Sequence, residues 1–126
     1  MPLPSRTILV VDDDPQVRSF IAHVLRDGGY HVVEAQDGPE ALGMIPTMPE
    51  LQLLVTDVVM PGLSGFVLAS HVVAARNVPV LFVSGYPQNA PEIPGPVLQK
   101  PFTAEVLLDV VAQLLSWAHV AGKRTA

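Results

Sequence analysis

"TILVVDDDP", residues 7–15, contains a complete change of local structure. Thr7 to Val11 is a short, β-branched apolar run with no polar interruption, the pattern of a strand covered on both faces. Asp12, Asp13 and Asp14 follow at once, and Pro15 suits the first position of a helix with Asp14 as its cap. Val17, Phe20, Ile21, Val24 and Leu25 then recur at helical spacing until Gly28-Gly29 stops the helix.

The same alternation continues downstream. His31 to Ala35 reads as a second strand and Pro39 to Ile45 as a short helix, closed by Pro46 and Pro49. Leu51 to Thr56 is a third strand that delivers Asp57 at its end. The loop VVMPGLSG leads to Ser64, which can cap a helix over Phe66 to Ala75. Val78 to Val83 is a fourth strand ending at Ser84, and Val97 to Gln99 a minimal fifth. Thr103 caps a last helix whose Val106, Leu107, Val110, Val111, Leu114 and Leu115 form a broad apolar face. Strands that alternate with helices and are apolar nearly throughout predict a parallel sheet with helices on both faces. No internal repeat or linker divides the chain, so residues 1–126 are expected to form one α/β domain. Its core should span about residues 6–118, with residues 119–126 as a frayed tail.

Composition limits the functions open to such a domain. Nearly half of the 126 residues are apolar, enough for one core, while no apolar run approaches the roughly 20 residues that cross a bilayer. There is no cysteine, which excludes disulfides and thiolate chemistry. The lack of cysteine fits a cytoplasmic protein, and a net charge of −5 with scattered basic residues argues against direct nucleic-acid binding and suits solubility and a basic protein partner.

In open parallel sheets, ligands gather where the carboxyl ends of strands meet loops. Those ends carry Asp12 and Asp13 after strand one, Asp57 after strand three, Ser84 after strand four and Lys100 after strand five. If strands one and three are neighbours, three carboxylates converge, and like charges at that spacing require a cation or a shared proton. Oxygen ligands alone select a hard ion such as Mg²⁺ over zinc. A carboxylate beside Mg²⁺, with an ammonium and a hydroxyl nearby, meets the demands of phosphoryl transfer: Asp57 attacks, Lys100 neutralises charge and Ser84 hydrogen-bonds a phosphoryl oxygen.

VVDDDPQVR, TDVVMPGLSG, VLFVSG and LQKPF, in this order from about Ile8 to Leu115, resemble the successive motifs of the receiver domain of bacterial two-component response regulators. The "SGYP…LQKPF" wording resembles most the receivers of hybrid histidine kinases. The resemblance implies a flavodoxin-like, doubly wound five-stranded sheet in the order 2-1-3-4-5. It implies Asp57 as phosphoacceptor, with Asp13, Asp57 and the backbone carbonyl of Val59 on Mg²⁺ and Asp12 acting through a bound water. Ser84 is then the switch hydroxyl, Lys100 contacts the phosphoryl group, and the Lys100–Pro101 bond is cis. The implied partners are a histidine kinase or phosphotransfer protein and a downstream protein. The implied role is signalling, with self-catalysed phosphotransfer and slow autodephosphorylation but no turnover substrate. The chain is then a stand-alone regulator or a receiver from a longer protein.

Two other classes compete. A phosphorylation-independent interaction module could use the same fold. Asp12-x-Asp14 after the first strand also resembles, less closely, the nucleophile motif of haloacid-dehalogenase-like Mg²⁺ phosphohydrolases, although Asp14 fits a helix cap better.

Three departures from the receiver pattern stand out. The aromatic residue three positions before the lysine, which couples phosphate to the output face, is Val97 here; Tyr86 is the candidate replacement. The Ser84–Lys100 interval is several residues shorter than the family's habit and holds Pro87, Pro91, Pro94 and Pro96. The fourth helix is therefore expected to be missing or reduced to a turn. The common dimer formed by that helix, the fifth strand and the last helix is consequently not expected. Finally, Val59 and Tyr86 flank the path of a hydrolytic water and offer little to orient it, so dephosphorylation should be slow.

Overall fold

The computed structural model describes residues 6–85 and 95–125, with side chains as far as residue 116. Strand β1 (Thr7–Val11) leads to helix α1 (Pro15–Asp27), β2 (His31–Ala35) and α2 (Gly38–Met44), which is extended by a 3-10 turn over Ile45–Thr47. Then come β3 (Leu51–Asp57), α3 (Gly65–Arg76), β4 (Val80–Ser84), β5 (Val97–Gln99) and α4 (Ala104–Thr125). The five strands form one parallel sheet in the order β2-β1-β3-β4-β5, as the alternation and the family resemblance imply. This is a flavodoxin-like fold.

Side chains alternate across the strands, so each strand feeds two cores. Ile8, Val10, Leu53, Val55, Leu81 and Val83 pack with Ile21 and Leu25 of α1 and Leu107 and Val111 of α4. Leu9, Val11, Leu54, Val80 and Phe82 pack on the other face with Ala41 of α2 and Leu68 and Val72 of α3. Four of the five β1 residues, Ile8 to Val11, are wholly inaccessible to solvent. That explains the unbroken apolar reading of the strand.

Helix starts are set by side chains. Asp14 Oδ1 accepts hydrogen bonds from the Gln16 and Val17 N–H groups at 2.9 and 3.4 Å. Ser64 Oγ accepts from Val67 N–H at 3.3 Å, and Thr103 Oγ1 from Val106 N–H at 3.2 Å. Asp37, unremarked in the sequence, caps α2 by accepting from Glu40 N–H at 2.8 Å. Arg76 fastens the end of α3 to the turn before β3, donating to the Met48 and Ile45 carbonyls at 2.8 and 2.7 Å.

The ends of α2 and α3 lie one residue from the sequence expectation, and three further boundaries differ. β4 starts at Val80, because Pro79 has no N–H to pair and contributes only its carbonyl, which accepts from Leu54 N–H at 3.1 Å. β3 includes Asp57 itself, through pairing with Val83. Residues 119–125, expected to fray, continue α4; their sequence holds one glycine and no proline to break it. Of the segment expected to lack its helix, residues 86–94 lie outside the described residues. Gly95 and Pro96 lead directly into β5, and among the described residues four α-helices surround the sheet.

The tightest junction joins α3 to the end of β3. Gly65 N–H donates to the Val58 carbonyl at 2.8 Å, and a methyl group on Gly65 would overlap the Asp57 carbonyl oxygen. Gly65→Ala is expected to destabilise the domain by about 3 kcal/mol, measured as a lower urea midpoint with unchanged slope. A loss below about 0.5 kcal/mol, the level of a neutral surface change, would show that this junction is loose.

Candidate functional site

Strand register lays the polar residues out as a staircase along one sheet edge. Val11 pairs with Thr56, which puts Asp12 level with Asp57. Asp57 pairs with Val83, so Ser84 stands one step further out, and Ser84 pairs with Gln99, so Lys100 stands one step beyond that. The Lys100 N–H donates to the Ser84 carbonyl at 2.7 Å, tying the two outermost steps together. The Lys100–Pro101 peptide is cis, as the resemblance implied.

The staircase brings one oxygen from each of Asp12, Asp13 and Asp57 within 4.8 Å of the others. Their environments differ sharply. Asp12 is wholly inaccessible, Asp57 has 14% of its side chain exposed, and Asp13 is open to solvent. Lys100 Nζ reaches Asp12 Oδ2 at 3.1 Å and Asp57 Oδ2 at 3.5 Å, and is the ammonium inside the cluster. Asp12 Oδ1 accepts from Asp14 N–H at 2.9 Å, so both oxygens of the buried carboxylate already have donors. Asp57 Oδ1 accepts from Val58 N–H at 2.8 Å, and Thr56 Oγ1 donates to the Asp57 carbonyl at 2.9 Å.

This crowding moves two proton equilibria. Burial and then the negative charge of Asp12 raise the Asp57 pKa above its ordinary 3.8, although Lys100 and the Val58 N–H pull the other way. For Lys100, burial favours the neutral amine. The hydrogen bond and charge of Asp12, joined by the charge of Asp57, outweigh it and raise the pKa above 10.5. Lys100 is therefore an ammonium at neutral pH, while Asp57 gives up its proton less readily than a free aspartate.

Ser84 is buried, with 3% of its surface accessible. Val59, two residues after Asp57, leaves 52% of its surface exposed. Val97, at the start of β5, is 47% exposed and pairs with Phe82, away from the carboxylates. Tyr86 lies outside the described residues. The structure thus brings Asp12, Asp13 and Asp57 together, with Lys100 in contact with Asp12 and Asp57 and Ser84 beside them on the edge. Sequence reasoning passed over Arg18, which donates to the Asp12 carbonyl at 2.8 Å. It lies among the polar positions of an amphipathic helix, and a carbonyl partner leaves no mark in the sequence.

Asp57→Asn removes a charge that the folded state disfavours. Because the folded protein binds the Asp57 proton more tightly than the unfolded chain, ionised Asp57 costs stability at neutral pH. That cost vanishes as pH falls through the raised value towards 3.8. The variant should melt higher than wild type at pH 7 in metal-free buffer, and the two melting curves should converge on acidification. A variant that melts lower at pH 7 would contradict the direction of the shift.

Comparison with known proteins sets this geometry beside others. A family model described as the response regulator receiver domain matches residues 8–112. Response regulator receiver protein CpdR of Brucella abortus is 31% identical over 117 residues, covering 87% of this chain and 97% of that one. The solved receiver domain of hybrid histidine kinase CckA is 38% identical with a TM-score of 0.77, covering 86% of this chain and 98% of that one. Response regulator TrrA of Thermotoga maritima, solved in complex with Mg²⁺-BeF, is 26% identical with a TM-score of 0.78, covering 86% and 98%. Other curated relatives are longer proteins: the chain spans between 35% and 48% of three transcriptional or response regulators that it matches.

Proposed function

The chain belongs to the response regulator receiver domain family of two-component systems, and from that premise we propose that it is a Mg²⁺-dependent phosphoacceptor, phosphorylated on Asp57 by a histidine kinase or phosphotransfer protein. One observation carries this reading: three carboxylates share the edge of a parallel sheet with one ammonium between them. The donor set fits the metal. Only oxygens are present, and the three negative charges outnumber the single Lys100 cation.

In this reading Asp13, Asp57 and the Val59 carbonyl hold Mg²⁺ directly. Asp12, whose oxygens are already engaged by Lys100 and Asp14 N–H, acts through a bound water. Mg²⁺, when bound there, would supply positive charge to offset that of the phosphoryl oxygens. An Asp57 oxygen forms the new P–O bond while the P–N bond of the phosphohistidine breaks, its electron pair returning to the imidazole. Lys100 and the Ser84 hydroxyl take up the charge on the phosphoryl oxygens. A groove of about 470 Å³ beside Lys100, lined by Gln16, Val17, Phe20, Pro101 and Phe102, offers an apolar seat for the donor protein. The domain is a signalling component of the cytoplasm rather than an enzyme with a turnover substrate. Its output passes to a protein, not to nucleic acid or membrane; among the described residues no helix is long and apolar enough to cross a membrane.

The geometry speaks against the phosphohydrolase alternative. Asp14 is committed to capping α1, and Asp12 is inaccessible and held by Lys100, so neither is placed as general acid or exposed nucleophile.

Intact-mass measurement after acetyl phosphate with Mg²⁺ should show one phosphoryl adduct on wild type and none on Asp57→Ala. An absent adduct, or one that survives the substitution, would favour the phosphorylation-independent interaction module instead. Val59→Asn should shorten the lifetime of the phosphoaspartate several-fold by giving the hydrolytic water a hydrogen-bond partner, followed by loss of the adduct over time. An unchanged or longer lifetime would remove Val59 from the cause of slow dephosphorylation.

A further inference from the structure

A Mg²⁺ site of this kind needs Asp13 held in a fixed direction. Asp13 is the exposed member of the cluster, and among the described residues its carboxylate has no hydrogen-bond donor. Its direction therefore depends on the backbone that carries it. The peptide joining Asp12 to Asp13 is planar, so whatever fixes the Asp12 carbonyl also fixes the plane from which Asp13 departs.

That carbonyl is held by Arg18, one turn into α1, whose Nη1 donates to it at 2.8 Å. The arginine is itself restrained. Its Nε lies 3.5 Å from Glu34 Oε1 on β2, and the other oxygen of Glu34 pairs with Arg26 Nη1 at 3.0 Å. Arg26 in turn donates through Nη2 to the Val32 carbonyl at 2.9 Å. Two guanidinium groups thus share one carboxylate, and each spends a further N–H on a backbone carbonyl, one beside the acidic cluster and one in β2. Only 20% of the Arg18 side chain is exposed, which separates it from an ordinary surface ion pair of small energetic effect.

We propose that Arg18 is a positioning residue for the acidic centre. By fastening the Asp12–Asp13 peptide to Glu34 on β2, it keeps the Asp13 carboxylate aimed at Asp57. The inference rests on the reading of these carboxylates as a Mg²⁺ site. Contacts that orient a metal ligand without touching the ion typically change metal affinity about 10- to 100-fold.

Charge makes the proposal testable by sign. Arg18 is a cation beside an acidic site, so if it acted through electrostatics alone, its removal would tighten Mg²⁺ binding. Loss of a positioning contact weakens it. The experiment is calorimetric titration of Mg²⁺ into wild type, Arg18→Met, Arg18→Lys and Glu34→Gln, at a temperature where circular dichroism shows each to be fully folded. Arg18→Met is expected to bind about tenfold more weakly. Arg18→Lys retains the charge but, with one compact ammonium, cannot serve the Asp12 carbonyl and Glu34 in the same fork; it should fall between Met and wild type. Glu34→Gln keeps an acceptor for Arg18 and should stay within about threefold of wild type.

Should Arg18→Met fail to fold, Arg18→Lys decides. Wild-type affinity or tighter in whichever Arg18 variant folds would overturn the positioning role while leaving the Mg²⁺ site intact. No Mg²⁺ binding by wild type would overturn the metal reading and this inference with it, so the two failures are told apart by the wild-type titration.

Discussion

Three carboxylates with oxygens within 4.8 Å of one another, and one ammonium among them, set the terms for the rest of this molecule. Like charges at this separation repel unless they are compensated, and burial removes the water that would otherwise compensate them. Lys100 supplies one positive charge from 88 positions along the chain from Asp12. The cluster can exist only if the sheet edge is stiff enough to hold it against that repulsion. The raised Asp57 pKa records burial first and then the repulsion from Asp12 that Lys100 leaves uncompensated. It is also the reason a further cation is the natural completion of the site.

Stiffness comes from both faces of the sheet. Leu9 and Val11 are anchored among α2 and α3, Ile8 and Val10 among α1 and α4, so the strand that ends at Asp12 is gripped from both sides. At the edge, backbone contacts take over from side-chain packing. Gly65 N–H reaches the Val58 carbonyl, Thr56 Oγ1 holds the Asp57 carbonyl, and Lys100 N–H reaches the Ser84 carbonyl. Each of these holds the backbone at or beside Asp57 and Ser84 through a peptide carbonyl.

Much of this was legible in the sequence because each polar residue interrupts an apolar run. Asp57 and Ser84 end their strands and Asp12 and Lys100 follow theirs, and strand ends converge in a parallel sheet whatever the length of the connections. The caps Asp14, Ser64 and Thr103 were legible for the same local reason: a short oxygen side chain just before a helical pattern can satisfy the unpaired N–H groups of the first turn. What stayed hidden depended on distance. Arg18 bonds a carbonyl, and a backbone acceptor leaves no mark on the residue that carries it. Arg76 likewise reaches the Ile45 and Met48 carbonyls across 31 and 28 positions. The end of α4 runs further than expected, because position near a terminus suggests fraying while nothing in the residues there forbids a helix.

The run Asp12-Asp13-Asp14 shows how far residue identity falls short of role. Asp14 spends its carboxylate on the first turn of α1, with Oδ1 accepting from Gln16 and Val17. Asp12 is inaccessible, with one oxygen on Lys100 and the other on Asp14 N–H. Of the three, Asp13 is the exposed one, and among the described residues its carboxylate has no hydrogen-bond donor. The side chains are identical; their backbone positions are not. The first residue after the strand is buried in the sheet edge, the next is open to solvent, and the third starts the helix. A division of labour among three aspartates therefore follows from where the strand stops and where the helix begins.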